Sequence, residues 1–172
     1  MPAMPIYFIW GLAGMFRIGM VISKFRWKWA LMTAWQFSIG TALLAFWLLG
    51  ARAYATDVAV IESEMVATAR WVSKNLPPDV LVAAHDIGAL GFFAPRNLLD
   101  LAGLISPEVI PIIRDETHLA EYLDENQAGY LITFPDWYPD LTSGLELAFS
   151  SQGRFAPPLG QENMSVFYWT AP

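Results

Sequence analysis

Apolar residues follow two regimes along this chain, and the change falls near residue 55. Upstream they form long, nearly unbroken runs. Residues 29–50 read WALMTAWQFSIGTALLAFWLLG, with no charge and only Thr33, Gln36, Ser38 and Thr41 as polar interruptions. At about 1.5 Å per residue such a helix reaches roughly 33 Å, enough for a hydrocarbon core of about 30 Å. Residues 5–22, PIYFIWGLAGMFRIGMVI, form an earlier run holding one charge. That charge, Arg17, lies toward the C-terminal end, from which a long side chain can snorkel to water. Two membrane spans are expected, 5–22 and 29–50, joined by a loop over 23–28. A re-entrant segment, or the tail of a longer helix, is the alternative for the first. A cleaved signal peptide fits poorly, since no basic region precedes the run and no small-residue cleavage site follows.

Downstream the pattern becomes periodic. Val58, Ile61, Met65, Ala69, Val72 and Leu76 recur at steps of three and four, the stripe of an amphipathic helix. Thr56 or Asp57 is its expected N-cap and Pro77-Pro78 its stop, with a short kinked joint to the preceding span. Val80 to Ala84 is a short apolar run that reads as a strand buried on both faces. Asn97 to Leu101 and Gly129 to Phe134 are two more strands, with helical patterns over 107–113 and 117–126 between them. Residues 153–156 and 165–170 read as a terminal antiparallel pair around a Pro-Pro-Leu-Gly turn, and 141–150 as a helix on one face. Alternating helix and strand imply a small three-layer-like α/β domain over 56–172, with a mostly parallel sheet.

Charge sharpens the division. Residues 1–55 hold five basic and no acidic side chains, a net +5, whereas residues 56–172 hold five basic and sixteen acidic ones, a net −11. Three cations, Lys24, Arg26 and Lys28, crowd the loop between the spans beside Phe25, Trp27 and Trp29. A nucleic-acid patch is the lesser reading. A cytoplasmic loop with interfacial aromatics accounts for the same residues. With that loop inside, the acidic domain is extracytoplasmic at the cell membrane, and the lone Arg52 does not overturn the bias. The chain has no cysteine, so no disulfide stabilises it.

The candidate chemistry is sparse. His85-Asp86-Ile87-Gly88-Ala89-Leu90-Gly91 stands at a strand's carboxyl end, where ligands of open α/β sheets bind. Its D-x-G-x-x-G spacing lacks the first glycine of the dinucleotide fingerprint, and no Gly-Lys-Ser/Thr follows. Asp86 capping a short helix accounts for it as well. His85 and His118 are the only histidines, and no metal-ligand spacing joins them, so no metal or cofactor is expected. His85, Asp86, Arg96 and Asp100 remain as candidate ligand-binding residues. Arg96 suits an anionic head group, or else an ion pair with Asp86 or Asp100. Asp100 with Glu108 would be a carboxylate pair for a hydrolase, or else Ser106 and Glu108 simply start a helix at Pro107. The cluster Phe134-Pro135-Asp136-Trp137-Tyr138-Pro139 could stack on a sugar, sit at a membrane interface or belong to the core.

The strings VAAHDIGALGFFAPRNLLDLAGLISPEVIP and LAEYLDENQAGYLITFPDWYP resemble the C-terminal extracytoplasmic domain of bacterial multi-span (GT-C type) glycosyltransferases. These are relatives of protein O-mannosyltransferases and aminoarabinose transferases. The resemblance covers about residues 56–172 with the preceding spans, and the run from His85 to Glu108 is its most specific part. It implies transfer of a sugar from a polyprenyl-phosphate donor to an extracytoplasmic acceptor, with inversion. The family's catalytic acid lies on its first extracytoplasmic loop, near the N-terminus, and this chain has no acidic residue before Asp57. No catalytic residue carries over. The resemblance therefore implies the C-terminal portion of such an enzyme, catalytically incomplete alone, whose partners are the lipid bilayer, a lipid-linked sugar and an N-terminal membrane part or partner subunit. The alternative is a free-standing membrane-anchored binding or structural domain without catalysis.

Overall fold

A computed structural model describes residues 4–169. The chain divides into two compact units, Met1–Ala53 and Tyr54–Pro172. In the first unit, α1 (Met4–Ile22) and α2 (Lys28–Val60, which continues into the second unit) are both long and apolar enough to cross a membrane. The apolar side chains of their spanning windows are not buried against the rest of the chain. A core helix of a water-soluble fold would have such a surface covered. Met15, Phe16 and Met20 of α1 and Met32, Trp35 and Ile39 of α2 line one open cleft of about 480 Å³.

The second unit is built on a five-stranded sheet. Its strands are β1 (Val82–Ala84), β2 (Leu98–Asp100), β3 (Tyr130–Thr133), β4 (Leu147–Ser150) and β5 (Ser165–Tyr168), in the order β2-β1-β3-β5-β4. β1 pairs in parallel with β2 and β3, while β5 is antiparallel to both β3 and β4. The sheet is thus evenly mixed, whereas a mostly parallel one was expected.

The pleat sends alternate residues to opposite faces. Val82, Ala84, Ile132 and Val166 meet Ala69 and Val72 of α3 (Ala67–Asn75) and Leu90 of α4 (Gly88–Phe93). Ala83, Leu131 and Phe167 meet Leu119 and Leu123 of α5 (Glu116–Glu125) and Leu141 of α6 (Pro139–Thr142). Helices therefore cover both faces, giving three layers.

Several expectations are corrected. Helical residues run without interruption from Lys28 to Asn75, so Thr56 and Asp57 lie within a helix and neither is an N-cap. Residues Ile61–Val66 form a π turn. A π turn carries one extra residue, which rotates the face upstream of it by about 100° relative to a regular helix. Val60 and Glu64 are therefore buried, and Val58 and Ile61, expected in the core, are exposed.

The expected helix over 107–113 shrinks to a 3₁₀ turn at Pro107–Val109, because Pro111 lacks the N–H that a continuing helix needs. Residues 141–150 do not form one helix. α6 ends at Thr142, Gly144 takes φ +79°, and the rest becomes β4. Such a left-handed residue terminates a helix. β4, and not residues 153–156, is the antiparallel partner of β5, so 153–156 belong to the loop between them. Thr170, the last residue of the expected terminal strand, lies outside the described residues.

Candidate functional site at the carboxyl edge of the sheet

β1 and β3 are parallel neighbours whose chains leave toward opposite faces. After β1 the chain turns to α4 on one face, and after β3 it turns through a 3₁₀ turn (Pro135–Trp137) to α6 on the other. The carboxyl ends of the strands at such a switch point are the usual ligand position in open α/β sheets.

His85 follows β1 directly and meets the aromatic cluster after β3. Its Nδ1 lies 2.6 Å from the Tyr138 hydroxyl, and its ring stands edge-on to Trp137 at 5.0 Å. Trp137 also packs on Phe134, at 4.8 Å between ring centres. Phe134 and Tyr138 are core residues, while Trp137 remains partly exposed.

Burial pushes the His85 pKa below its ordinary value, and the charges of Asp86 and Asp100 only partly oppose this. Burial, aided by the charges of Glu116 and Asp100, pushes the Tyr138 hydroxyl up to about 12. A neutral imidazole beside a protonated phenol is satisfied with Tyr138 donating to Nδ1. That assignment leaves the ring proton on Nε2 as a donor.

The other expected ligand residues have different roles. Asp100 is fully buried at the end of β2, and its two oxygens accept the backbone N–H groups of Ala102 at 2.8 Å and Ile105 at 2.7 Å. It organises the loop after β2. Asp86 is half-buried and accepts the Gly88 N–H in a long 3.4 Å contact, while Ile87 holds the cap position of α4.

Arg96 lies at the opposite edge, before β2. Its guanidinium donates to the carbonyls of Val72 and Pro77, each at 3.2 Å, and so closes the C-terminus of α3. His85 thus feels the charges of both Asp86 and Asp100, and Arg96 is elsewhere. Glu108 is exposed and accepts the Tyr122 hydroxyl at 2.8 Å, so it and Asp100 already have partners of different kinds. Ser106 precedes the Pro107 turn without making a side-chain cap.

The least anticipated group is Glu64. Fully buried in the π turn, its carboxylate accepts from the Ser151 hydroxyl, from Asn163 Nδ2 at 3.1 Å and from the Met164 N–H at 3.0 Å. Gly153 makes room for it, since a Cβ there would fall 1.9 Å from Glu64 Oε1. The Thr68 hydroxyl, four residues on, is buried without a hydrogen-bond partner. The signal for Glu64 was the row Val60, Glu64, Thr68, Val72, a second four-residue spacing that the π turn brings inward. Ser165 pairs with Thr133 at the carboxyl end of β3, so Glu64 belongs to the same edge of the sheet as His85.

The sequence model of the family described as Domain of unknown function (DUF8728) matches residues 52–167. The chain belongs to the DUF8728 family. No curated protein and no solved structure matches it. The DUF8728 segment begins within α2 and ends within β5, so it contains His85, the aromatic cluster after β3 and the Glu64 cluster. Among the described residues no group of three or more His, Cys, Asp or Glu side chains could hold a metal ion.

Proposed function

We propose that this chain is the membrane-anchored C-terminal portion of a glycosyltransferase that moves a sugar from a polyprenyl-phosphate donor to an extracytoplasmic acceptor. Its α1 and α2 span the cell membrane, the cationic loop lies on the cytoplasmic side, and the α/β unit lies outside. Its share of the reaction is to bind, and the chemical step uses an acid from another segment or subunit.

The observation that carries this reading is the cluster of His85, Trp137 and Tyr138 at the carboxyl edge of the sheet. A partly exposed indole, Trp137, stands beside His85, which keeps an N–H donor while its other nitrogen is engaged by Tyr138. An aromatic face with a few fixed polar groups is how concave sites hold a sugar-sized ligand. The resemblance of residues 56–172 to the transferase domain adds the donor class.

The second reading, a free-standing membrane-anchored binding domain, draws on one specific fact. The two most buried carboxylates, Asp100 and Glu64, are consumed by internal hydrogen bonds and neither is available as a catalytic acid. One experiment separates the two. The full chain is reconstituted in vesicles with a polyprenyl-phosphate sugar and membranes supplying candidate partner subunits. The leading reading expects saturable donor binding and acceptor glycosylation only when the partner is present. Transfer with a partner supports the leading reading, whereas binding without transfer under any pairing, or no donor binding at all, contradicts it and favours the second, a free-standing membrane-anchored binding or structural domain without catalysis.

A further inference from the structure

We infer that the α1–α2 hairpin binds one anionic phospholipid, with the headgroup phosphate at the start of α2 and an acyl chain in the cleft between the two helices. The inference rests on the membrane-anchor part of the proposed function, not on the transferase part, and uses the first unit alone.

Two cavities of that unit adjoin, since Ser23 and Met32 line both. The smaller, of about 220 Å³, lies at the loop and is completed by Lys28 and Trp29. The larger is the cleft of about 480 Å³, walled by Phe16, Gly19 and Met20 of α1 and by Trp35 and Ile39 of α2. Along α1 this cleft reaches from Ser23 to Leu12. At about 1.5 Å per residue that is roughly 16 Å, close to half of a hydrocarbon core of about 30 Å, which is the depth of one leaflet's chains. A cationic mouth on an apolar groove one leaflet deep matches the polarity of a lipid, head first and tail after.

Charge selects the headgroup. Lys24, Arg26 and Lys28 are all exposed, and none makes an ion pair among the described residues. The unit Met1–Ala53 contains no Asp or Glu to neutralise them. α2 begins at Lys28 with no acidic residue in its first turn, so the positive end of its dipole adds to the same uncompensated field. A phosphate at the mouth meets the Lys28 ammonium and the Trp29 indole N–H as donors, whereas a zwitterionic headgroup brings a cation of its own into that field. The proposed reading puts this loop on the cytoplasmic side and the sugar donor outside. The ligand is therefore a phospholipid of the inner leaflet and not the donor's polyprenyl phosphate.

Two positions separate this site from diffuse attraction to a basic loop. Arg17 lines a different cavity, with Trp10, Ala13 and Gly14, so it adds charge to the unit without touching the site. Gly19 lines the cleft, and a Cβ there meets nothing within 4 Å, so a large side chain at this position fills the groove without displacing protein.

The full chain is reconstituted in phosphatidylcholine vesicles holding a trace of nitroxide-labelled phosphatidylglycerol or, separately, of nitroxide-labelled phosphatidylcholine. Electron paramagnetic resonance then measures the motionally restricted fraction of each. Phosphatidylglycerol is expected to be restricted several-fold more strongly than phosphatidylcholine, and unlabelled phosphatidylglycerol to displace it with saturation near one per chain. Lys28→Gln and Gly19→Leu should each remove most of that preference, and Arg17→Gln should retain it. Equal losses in Arg17→Gln and Lys28→Gln, or an unchanged preference in Gly19→Leu, mean diffuse attraction and overturn the inference. Full displacement by millimolar inorganic phosphate also overturns it, because the site would then read phosphate without a chain. No preference in a chain that floats with the vesicles overturns the inference and leaves the anchor standing. A chain that fails to float overturns both.

Discussion

Glu64 shows how a single residue can be costly alone and stabilising in company. A buried carboxylate is expensive unless its lone pairs are met, and here a hydroxyl, an amide and a backbone N–H meet them. Glu64→Ala would strand the Met164 N–H and leave Asn163 Nδ2 with the Gly153 carbonyl alone, and is expected to lower stability by about 3 kcal/mol. Glu64→Gln keeps the shape and one acceptor, and should cost about half as much. Chemical unfolding of the purified full chain measures the difference; equal, negligible losses would mean that the cluster contributes nothing.

His85 gives a prediction with a sign. Burial holds its folded pKa below 6.5, near which the unfolded chain takes up its proton. The unfolded state therefore binds more protons below that pH. The neutral imidazole's contribution is fully present above about pH 6.5 and is lost as pH falls through the window beneath it. His85→Gln should flatten this part of the stability profile between about pH 7.5 and 5.5, and an unchanged slope would refute the assignment.

At the scale of elements, most of the core layer was legible. The central strands and α5 announced themselves because short apolar runs between turn residues, and a 3.6-residue stripe, each suit one kind of element far better than another. The observed β1, β2, β3 and α5 lie within the expected ranges or close to them. Two features were hidden for physical reasons. A π turn has no signature in periodicity, so the stripe through Val58 and Ile61 was extended on the wrong face. β4 (LAFS) is too short to be distinguished from a helical turn, and only its pairing with β5 decides it.

The site was legible in the same uneven way. His85 stood at a strand end and was visible from sequence, but its link to Tyr138 across 53 positions is a product of topology. The Arg96 guanidinium donates to the carbonyls of Val72 in α3 and of Pro77 just beyond it, partners 24 and 19 positions away that sequence does not reveal. Arg96→Ala is expected to lower stability by about 1–2 kcal/mol through the open helix end, while leaving ligand binding intact. Thermal unfolding together with a binding assay tests both halves, and a selective loss of binding would return Arg96 to the site.

For the whole molecule, two parts of opposite charge and different pattern follow one another along the chain, and the proposed reading makes the first the anchor of the second. The basic apolar half supplies two helices long enough to cross a membrane, and the acidic half supplies a sheet with His85 and an aromatic cluster at its carboxyl edge. The proposed role of this cluster is to bind a lipid-linked sugar. Its most direct test is equilibrium binding of a radiolabelled polyprenyl-phosphate sugar to the full chain in bilayer nanodiscs, compared with Trp137→Ala, His85→Ala and Arg96→Ala. Saturable binding that weakens about tenfold or more in the first two variants, equivalent to about 1.4 kcal/mol or more, and holds in the third is the predicted result. Binding that is absent, or that is unchanged by the loss of Trp137 and His85, would contradict it.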